Sequence, residues 1–305
     1  MNDISVVTSL YYSEEYIKEF YLRTLKVCEE NFENFEIIFV NDGSPDNSSE
    51  LVKTLCINDN RIKLIELSRN FGHHKALLTG LDFASKNLIW LIDVDLEEEP
   101  EWLKEFYSTF QKNKVDVVYG VQKKRKGNFF ERWSGRLFFA IMDDIFDVSF
   151  QKNCTTARLM TKAYKDSLCL HKEQNTVLFG LWKITGYKQI PIYVSKGNRS
   201  ASTYSLLKKI KLAINSIIDF SAKPLIYIFY LGFCIFLISL LFAIYLVVKF
   251  FLFASPVVGW TSVIISIWLF GGLIIGILGL LGIYLSKIFM QTKNRPFTIV
   301  KEIFP

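Results

Sequence analysis

Short apolar runs alternate with longer segments of mixed polarity along residues 1–120. Runs of about four to eight apolar residues are typical of buried strands, whereas apolar residues repeated every three or four positions are typical of helices. This alternation predicts βαβ units, and therefore an α/β Rossmann-like fold with a mainly parallel sheet. The predicted strands are residues 4–8, 35–41, 62–68, 88–93 and 115–120, and the predicted helices are 14–30, 47–56, 72–84 and a segment that begins at Pro100.

Polar residues follow four of these strands, in the loops after Thr8, Asn41, Ser68 and Asp93. Right-handed crossovers bring the carboxyl ends of parallel strands to one edge of a sheet. Open α/β sheets bind their ligands at that edge. The sequence therefore predicts one cleft lined by these four loops.

The fourth strand ends in Asp93-Val94-Asp95. Two carboxylates at the end of a buried strand are costly to bring together unless a cation lies between them. The motif therefore indicates a divalent metal that holds a pyrophosphate. For the motif on its own, two solvated acids at a strand end are the favoured alternative.

The C-terminal third of the chain is strongly apolar. Residues 225–248 form 24 positions without a charge, and no charged residue lies between Lys249 and Lys287. Because about 20 apolar residues span a bilayer, we predict two transmembrane helices, at about 225–248 and 260–286, with a turn between them. The alternative is a buried helical hairpin in the core of a soluble protein.

Basic residues flank the two predicted spans, and the turn between them has only Lys249 nearby. The positive-inside rule then places both termini in the cytoplasm, on a multi-pass protein of the inner (cytoplasmic) membrane. The net charge of +6 is concentrated beside the spans, which favours anionic membrane lipids over nucleic acid as the partner. The flanking residues are Lys208, Lys209, Lys211 and Lys223 before the first span, and Lys287, Lys293, Arg295 and Lys301 after the second.

Three motifs and the apolar C-terminal region together resemble a known family. The motifs are Asp42-Gly43-Ser44, Asp93-Val94-Asp95 and the stretch LSRNFG at 67–72. They resemble the polyprenyl-phosphate glycosyltransferases, a group within family 2 of the GT-A fold that includes dolichol-phosphate mannose synthase and bactoprenol-phosphate glucosyltransferases. The resemblance covers essentially the whole chain. It implies a GT-A catalytic domain at 1–200, two transmembrane helices within 224–290 and a cytoplasmic tail at 291–305.

The resemblance also implies a nucleoside-diphosphate sugar, of the UDP or GDP type, as the donor. Asp42 would accept a hydrogen bond from a uracil-type base, although an Asx-turn role is the alternative. Backbone N–H groups at the helix start near Gly72 would face the ligand, unless Gly72 is only a small residue there. The donor-binding residues implied are Ser9, Tyr11, Asp42, Ser44, Asn70, Gly72 and Asp93.

Asp93 and Asp95 would be catalytic as ligands of Mg²⁺ or Mn²⁺, because hard carboxylate oxygens suit these ions. Such a metal neutralises the charge that develops on the leaving nucleoside diphosphate. We interpret most of the acids that follow as a solvated helix N-terminus, and the His73-His74 pair as simply polar. These acids are Glu97, Glu98, Glu99 and Glu101.

Thr156 stands where relatives of this group have an Asp that is proposed as general base. A lipid phosphate needs no such base, because its second pKa is about 6 and it is already an anion at neutral pH. The lipid phosphate needs cations that hold it beside the sugar. Glu173 is the backup candidate for a base, and the alternative is that it is a surface acid. The candidate acceptor-phosphate cations are Arg125, Arg132, Arg136, Arg158, Arg199 and Lys208.

Two further segments, 128–147 and 201–223, have an apolar face and nearby basic residues. This pattern is typical of amphipathic helices at a membrane surface. For the first segment, a core helix of the catalytic domain is the alternative.

The sequence thus predicts a membrane-bound, metal-dependent, inverting enzyme that transfers a hexose-type sugar to polyprenyl (undecaprenyl) phosphate. A second enzyme hypothesis is transfer to a hydroxyl of a polysaccharide or lipid-linked oligosaccharide, which would require a base such as Glu173. A non-enzyme hypothesis is a membrane protein that senses nucleotides. The sequence does not determine the sugar, the nucleotide or the oligomeric state, and it is compatible with a homo-oligomer.

Overall fold

The computed structural model describes residues 3–122, 153–172, 178–195, 223–253 and 259–305. The chain divides into two compact units. One is an α/β unit that contains the described residues up to 195 together with 295–305, and the other is helical and contains 223–253 and 259–294. The predicted amphipathic helices at 128–147 and 201–223 lie outside the described residues, except for Lys223.

Strands and helices of the α/β unit alternate as predicted through its first half. The strands are β1 (Asp3–Leu10), β2 (Asn34–Asn41), β3 (Ile62–Leu67), β4 (Leu88–Leu91), β5 (Val117–Gln122), β6 (Cys154–Thr161), β7 (Gln189–Val194) and β8 (Val300–Phe304). The helices are α1 (Glu14–Asn31), α2 (Ser48–Asn58), α3 (His73–Phe83), α4 (Trp102–Asn113), α5 (Lys162–Cys169) and α6 (Leu178–Ile184).

Eight strands form one sheet in the order β7-β5-β6-β4-β1-β2-β3-β8. The pairs among β4, β1, β2 and β3 are parallel, and so is the pair β5 and β7. This confirms the predicted parallel core. The antiparallel strands β6 and β8 were not predicted, so the sheet is mixed, with a parallel centre.

Helices cover both faces of the sheet, which is why its central strands are apolar at nearly every position. Ile37 and Phe39 belong to the core cluster that also contains residues of α1, α2 and α4. The intervening side chains face α3, which packs very closely. A Cβ added to Gly80 in α3 would lie 2.6 Å from Val7 Cγ1 and 2.7 Å from Val40 Cγ2.

The C-terminal residues return to the sheet, which the sequence did not predict. Strand β8 pairs antiparallel with β3, and the Ser68 N–H donates to the Ile299 carbonyl at 2.9 Å. Just before this strand, the Thr298 hydroxyl bonds to Thr79 of α3 at 2.8 Å. The segment 291–305, predicted as a cytoplasmic tail, therefore contains an edge strand, which lies beside the predicted ligand-binding loop 68–72.

The helical unit contains two long helices, α7 (Lys223–Phe253) and α8 (Trp260–Thr292). Helix α7 extends beyond the first predicted apolar segment at both ends, and α8 begins at Trp260 as predicted and extends beyond the second segment at its C-terminal end. Within the described residues, Phe270–Thr292 is one stretch long and apolar enough to cross a membrane, with a mean hydropathy of 2.2. The two-span membrane hairpin itself stays a prediction.

Deletion of residues 300–305 should destabilise the α/β unit. It removes the five-residue strand β8 and exposes the edge of β3. Because a backbone hydrogen bond contributes about 0.5–1.5 kcal/mol, we expect a loss of about 2–4 kcal/mol and a melting temperature lower by roughly 5–15 °C. Thermal unfolding in detergent measures this change.

A double substitution of Lys301 and Glu302 by Ala is the matched control, because both side chains are exposed and the backbone pairing is kept. It should melt like the unmodified protein. A deletion variant that melts at the same temperature as this control would show that β8 does not stabilise the sheet.

Candidate functional site

The loops after β1 and β2 are joined by hydrogen bonds at the carboxyl edge of the sheet. The Tyr12 N–H donates to Ser44 Oγ at 2.8 Å, and the Ser44 hydroxyl donates to Asp46 Oδ1 at 2.5 Å. The Glu14 N–H donates to Asp46 Oδ2 at 3.1 Å. Burial would raise the pKa of Asp46, but these bonds outweigh it and lower the pKa. Ser44 thus joins two loops, while the Tyr11 ring beside it is 48% exposed.

Asp42 holds the 68–72 loop rather than presenting a free carboxylate. It is 1% exposed, its Oδ1 accepts the Phe71 N–H at 2.7 Å, and its Oδ2 accepts the Gly72 N–H at 2.9 Å. Burial raises the pKa of Asp42 and the two backbone bonds partly oppose this shift. Each carboxylate oxygen can accept a further hydrogen bond, so the predicted contact between Asp42 and a nucleobase stays a prediction.

Two glycines make this loop contact possible. Gly43 has φ +63°, and a Cβ there would lie 2.6 Å from the Arg69 carbonyl carbon and from the Asn70 nitrogen. Gly72 has φ +101°, a left-handed conformation that favours glycine. Since its N–H is given to Asp42, Gly72 does not present that group to a ligand as predicted, whereas the Asn70 side chain is exposed in the loop.

Side chains from a strand and a helix converge on Asp93. The Thr156 hydroxyl donates to Asp93 Oδ2 at 2.8 Å, and His73 Nε2 lies 3.4 Å from Oδ1. His73 Nδ1 is in turn 2.9 Å from the Ser9 hydroxyl. The structure thus brings the predicted residues Ser9 and Asp93 together through His73, which the sequence analysis interpreted as merely polar. Its place as the first residue of α3, after the LSRNFG motif, was the available signal.

Asp95 lies two residues beyond Asp93, and its Oδ1 accepts the Glu97 N–H at 3.0 Å. Among the described residues, no group of three or more His, Cys, Asp or Glu side chains is arranged to hold a metal. The oxygen ligands of Asp93 and Asp95 suit Mg²⁺ or Mn²⁺. Mg²⁺ sites commonly combine one or two carboxylates with substrate phosphates and water, so this pair is compatible with a metal that arrives with a diphosphate.

Among the acids after Asp95, Glu98 is not part of a solvated helix N-terminus. Glu98 is fully buried, and its Oε1 accepts the Thr156 N–H at 3.0 Å. Glu101 pairs with Arg23 through two contacts of 2.8 and 2.6 Å, and these hydrogen bonds lower the pKa of Glu101. The prediction was wrong for Glu98, because the turn folds inward before α4 begins, whereas Glu101 is the N-cap residue of α4 and its side chain is 43% exposed.

Arg158 is inside the protein and not at the surface of the cleft. Its side chain belongs to β6, is 2% exposed, and its Cζ lies 3.4 Å from the centre of the Trp182 ring. The Tyr119 ring is on another side at 5.1 Å, and burial lowers the pKa of the guanidinium. The structure therefore does not support the predicted phosphate contact of Arg158, which instead packs below the cleft.

The remaining acceptor-site predictions lie outside the described residues. They concern the backup base Glu173 and the cations Arg125, Arg132, Arg136, Arg199 and Lys208.

Replacement of Asp42 by Asn should loosen the 68–72 loop. An amide has one acceptor oxygen, so the N–H of either Phe71 or Gly72 would lose its partner, at a cost of about 1–3 kcal/mol. Hydrogen exchange of a peptide containing these amides should accelerate by about 10-fold or more.

Asp3→Asn at the opposite end of β1 is the control, because the Asp3 carboxylate accepts from Asn87 far from the loop. It should leave exchange in 68–72 unchanged. Equal exchange in the Asp42→Asn and unmodified proteins would contradict the role given to Asp42.

Comparison with known proteins shows which proteins this chain is similar to. The model of the family described as glycosyl transferase family 2 matches residues 5–172, which contain the cleft. A Mycobacterium tuberculosis protein described as a glycosyltransferase is 42% identical over 99% of this chain and 88% of its own length. An uncharacterised glycosyltransferase of Bacillus subtilis is 35% identical over 98% of this chain and 94% of its own. The bactoprenol glucosyl transferase of Shigella phage SfII is 30% identical over 98% of this chain and 97% of its own.

Proposed function

The chain belongs to glycosyl transferase family 2 and is a glycosyltransferase, and we propose that it moves a hexose-type sugar from a nucleoside diphosphate to a polyprenyl phosphate. The relatives named bactoprenol glucosyl transferase, which align with nearly the whole chain, support a lipid carrier as the acceptor.

The observation that carries the acceptor proposal is the contact between Thr156 and Asp93. A threonine hydroxyl, which is no general base, lies 2.8 Å from Asp93. The second carboxylate that contacts Thr156, that of Glu98, is fully buried and cannot reach a substrate hydroxyl. An acceptor hydroxyl would need a base, which typically contributes about 10²–10⁴-fold in rate. A phosphate monoester does not, because it is already an anion near pH 7.

The donor would lie across the carboxyl ends of β1, β2 and β4. The exposed Tyr11 ring offers a surface for a nucleobase, and the Asp93 and Asp95 carboxylates would hold Mg²⁺ or Mn²⁺ against the diphosphate. When bound, such a metal supplies Lewis-acid stabilisation of the leaving diphosphate. His73 and Thr156 hold the Asp93 carboxylate from two sides, so its orientation is set before the donor binds.

Transfer would be a single displacement with inversion at the anomeric carbon. An oxygen of the polyprenyl phosphate attacks that carbon and forms the new C–O bond. The bond between this carbon and the diphosphate oxygen breaks, and the nucleoside diphosphate leaves with the electron pair. No proton has to be moved by the enzyme, which is consistent with a threonine at position 156.

The apolar helices would anchor the catalytic unit at the membrane that contains the acceptor. The stretch Phe270–Thr292 supports at least one membrane-spanning helix. A polyprenyl phosphate keeps its chain in the bilayer and its phosphate at the surface, so an anchored catalytic unit meets its acceptor there. We further propose that α7 is the second span and that the catalytic unit faces the cytoplasm, the compartment that supplies nucleotide sugars.

The direct test uses purified protein in detergent with Mn²⁺, undecaprenyl phosphate and a panel of radiolabelled UDP- and GDP-sugars. We expect label to enter the organic phase with one donor, and only when both the metal and the lipid phosphate are present. Undecaprenol, which has a hydroxyl in place of the phosphate, is the matched control and should accept no sugar.

Transfer to undecaprenol, or transfer only to a lipid-linked oligosaccharide, would overturn the phosphate acceptor. It would favour a hydroxyl acceptor and make Glu173 the next residue to replace. Absence of transfer to every one of these acceptors would contradict the proposed reaction.

Asp95→Asn should lower the rate of transfer by about 10³-fold, because several kcal/mol of charge stabilisation would be lost with the metal ligand. EDTA should have the same effect on the unmodified enzyme, and added Mn²⁺ should reverse it. The control is Glu99→Gln, since Glu99 is exposed in the same turn and should tolerate the change. Equal rates for the Asp95→Asn and Glu99→Gln variants would contradict the assignment of Asp95.

A further inference from the structure

A short series of polar contacts connects the buried Glu98 carboxylate with Asp93. Glu98 Oε1 accepts the Thr156 N–H at 3.0 Å, and the Thr156 hydroxyl donates to Asp93 Oδ2 at 2.8 Å. Thr156 therefore contacts both carboxylates, one through its backbone and one through its side chain.

The strand pairing explains why Thr156 needs this support. β4 and β6 pair antiparallel, with Leu91 opposite Arg158 as the last pair toward the cleft. If this register is continued by two residues, Thr156 lies opposite Asp93, beyond the last pair of the two strands. The Thr156 amide obtains its acceptor from the Glu98 side chain instead of from a β4 carbonyl.

The turn that carries Glu98 adopts an unusual conformation. Leu96 has φ +61°, which is rare for a residue with a branched side chain, and its side chain is 6% exposed. Glu98 itself is fully buried, although burial of a carboxylate is costly unless it accepts hydrogen bonds. Strained backbone and buried charge of this kind persist where the surrounding structure requires them, and they are frequent at functional sites.

We infer that Glu98 is a positioning residue for the donor site. Its carboxylate fixes the backbone of Thr156, and the Thr156 hydroxyl then orients the Asp93 carboxylate. Glu98 is buried and touches no substrate, so it acts only through Thr156. The inference rests on the proposed function, because it gives Asp93 the role of holding the metal and the diphosphate.

The test measures the affinity of the full-length protein for Mn²⁺ together with UDP or GDP, by isothermal titration calorimetry in detergent. Glu98→Ala and Thr156→Val should each weaken the affinity by about tenfold. The double variant should also weaken it by about tenfold, because both substitutions interrupt the same series of contacts. Glu98→Gln should stay within about threefold of the unmodified protein, since its amide oxygen can still accept the Thr156 N–H.

Two neighbouring substitutions are matched controls. Thr155 is buried beside Thr156 in the same strand, and its hydroxyl has no hydrogen-bond partner in the part of the chain that the structure describes. Its side chain points to the opposite face of the sheet. Thr155→Val should therefore leave the affinity unchanged, and so should Glu99→Ala in the exposed part of the turn.

Unchanged affinity in Thr156→Val or in a folded Glu98→Ala variant would overturn the inference, and so would a double variant about 100-fold weaker. A Glu98→Gln variant as weak as Thr156→Val would also overturn it, because the charge and not the accepted hydrogen bond would then matter. Thermal unfolding shows whether the Glu98→Ala variant folds. If it does not fold, the affinities of the Glu98→Gln and Thr156→Val variants decide the test. An unmodified protein that binds neither Mn²⁺–UDP nor Mn²⁺–GDP would instead refute the donor site of the proposed function, and the inference with it.

Discussion

Parallel pairing of β1 with both β2 and β4 is the constraint on which the site depends. Because β1 lies between these strands, their carboxyl ends meet at one edge and their following loops must share one cleft. Apolar residues on both faces of the strands require helices on both sides, and α3 packs so closely that a glycine is needed at position 80. The hydrophobic core thus fixes where the loops begin, and polar contacts then fix how they are folded.

Carboxylates that accept backbone N–H groups organise these loops. Asp42 holds the 68–72 loop, Asp46 joins the loops after β1 and β2, and Glu98 holds the start of β6. Hydrogen bonds to an ionised acceptor are stronger than those between neutral groups, so a few acids can fix several irregular segments. At Asp93, by contrast, the side chains of His73 and Thr156 contact the carboxylate.

The edge strand β8 gives the C-terminal segment a structural role. It covers the β3 side of the sheet, where an exposed edge would offer unpaired backbone groups to other chains. The residues just before it contact Ser68, which belongs to the LSRNFG stretch, and Thr79 of α3. The chain that leaves the apolar helix α8 therefore ends next to a loop of the candidate site.

Much of the fold was predictable from local patterns. Five strands and four helices of the first half are where hydrophobic periodicity predicts them. A strand buried on both faces is a continuous apolar run, and an amphipathic helix has apolar residues every three or four positions. The antiparallel strands β6 and β8 were missed because neither has the continuous apolar run that marked the predicted strands. Strand β8, for example, is only five residues long and is mostly exposed.

The sequence by itself determined the family, the cleft and the acidic pair Asp93 and Asp95, because these depend on motifs and on the order of the strands. Only the tertiary structure decided which polar side chains serve the fold and which face the cleft. Asp42, Glu98 and Arg158 are polar or charged in the sequence, yet each is buried, whereas His73 reaches both Ser9 and Asp93. The physical reason is that the burial and partners of a charged side chain depend on residues tens of positions away, which local periodicity does not encode.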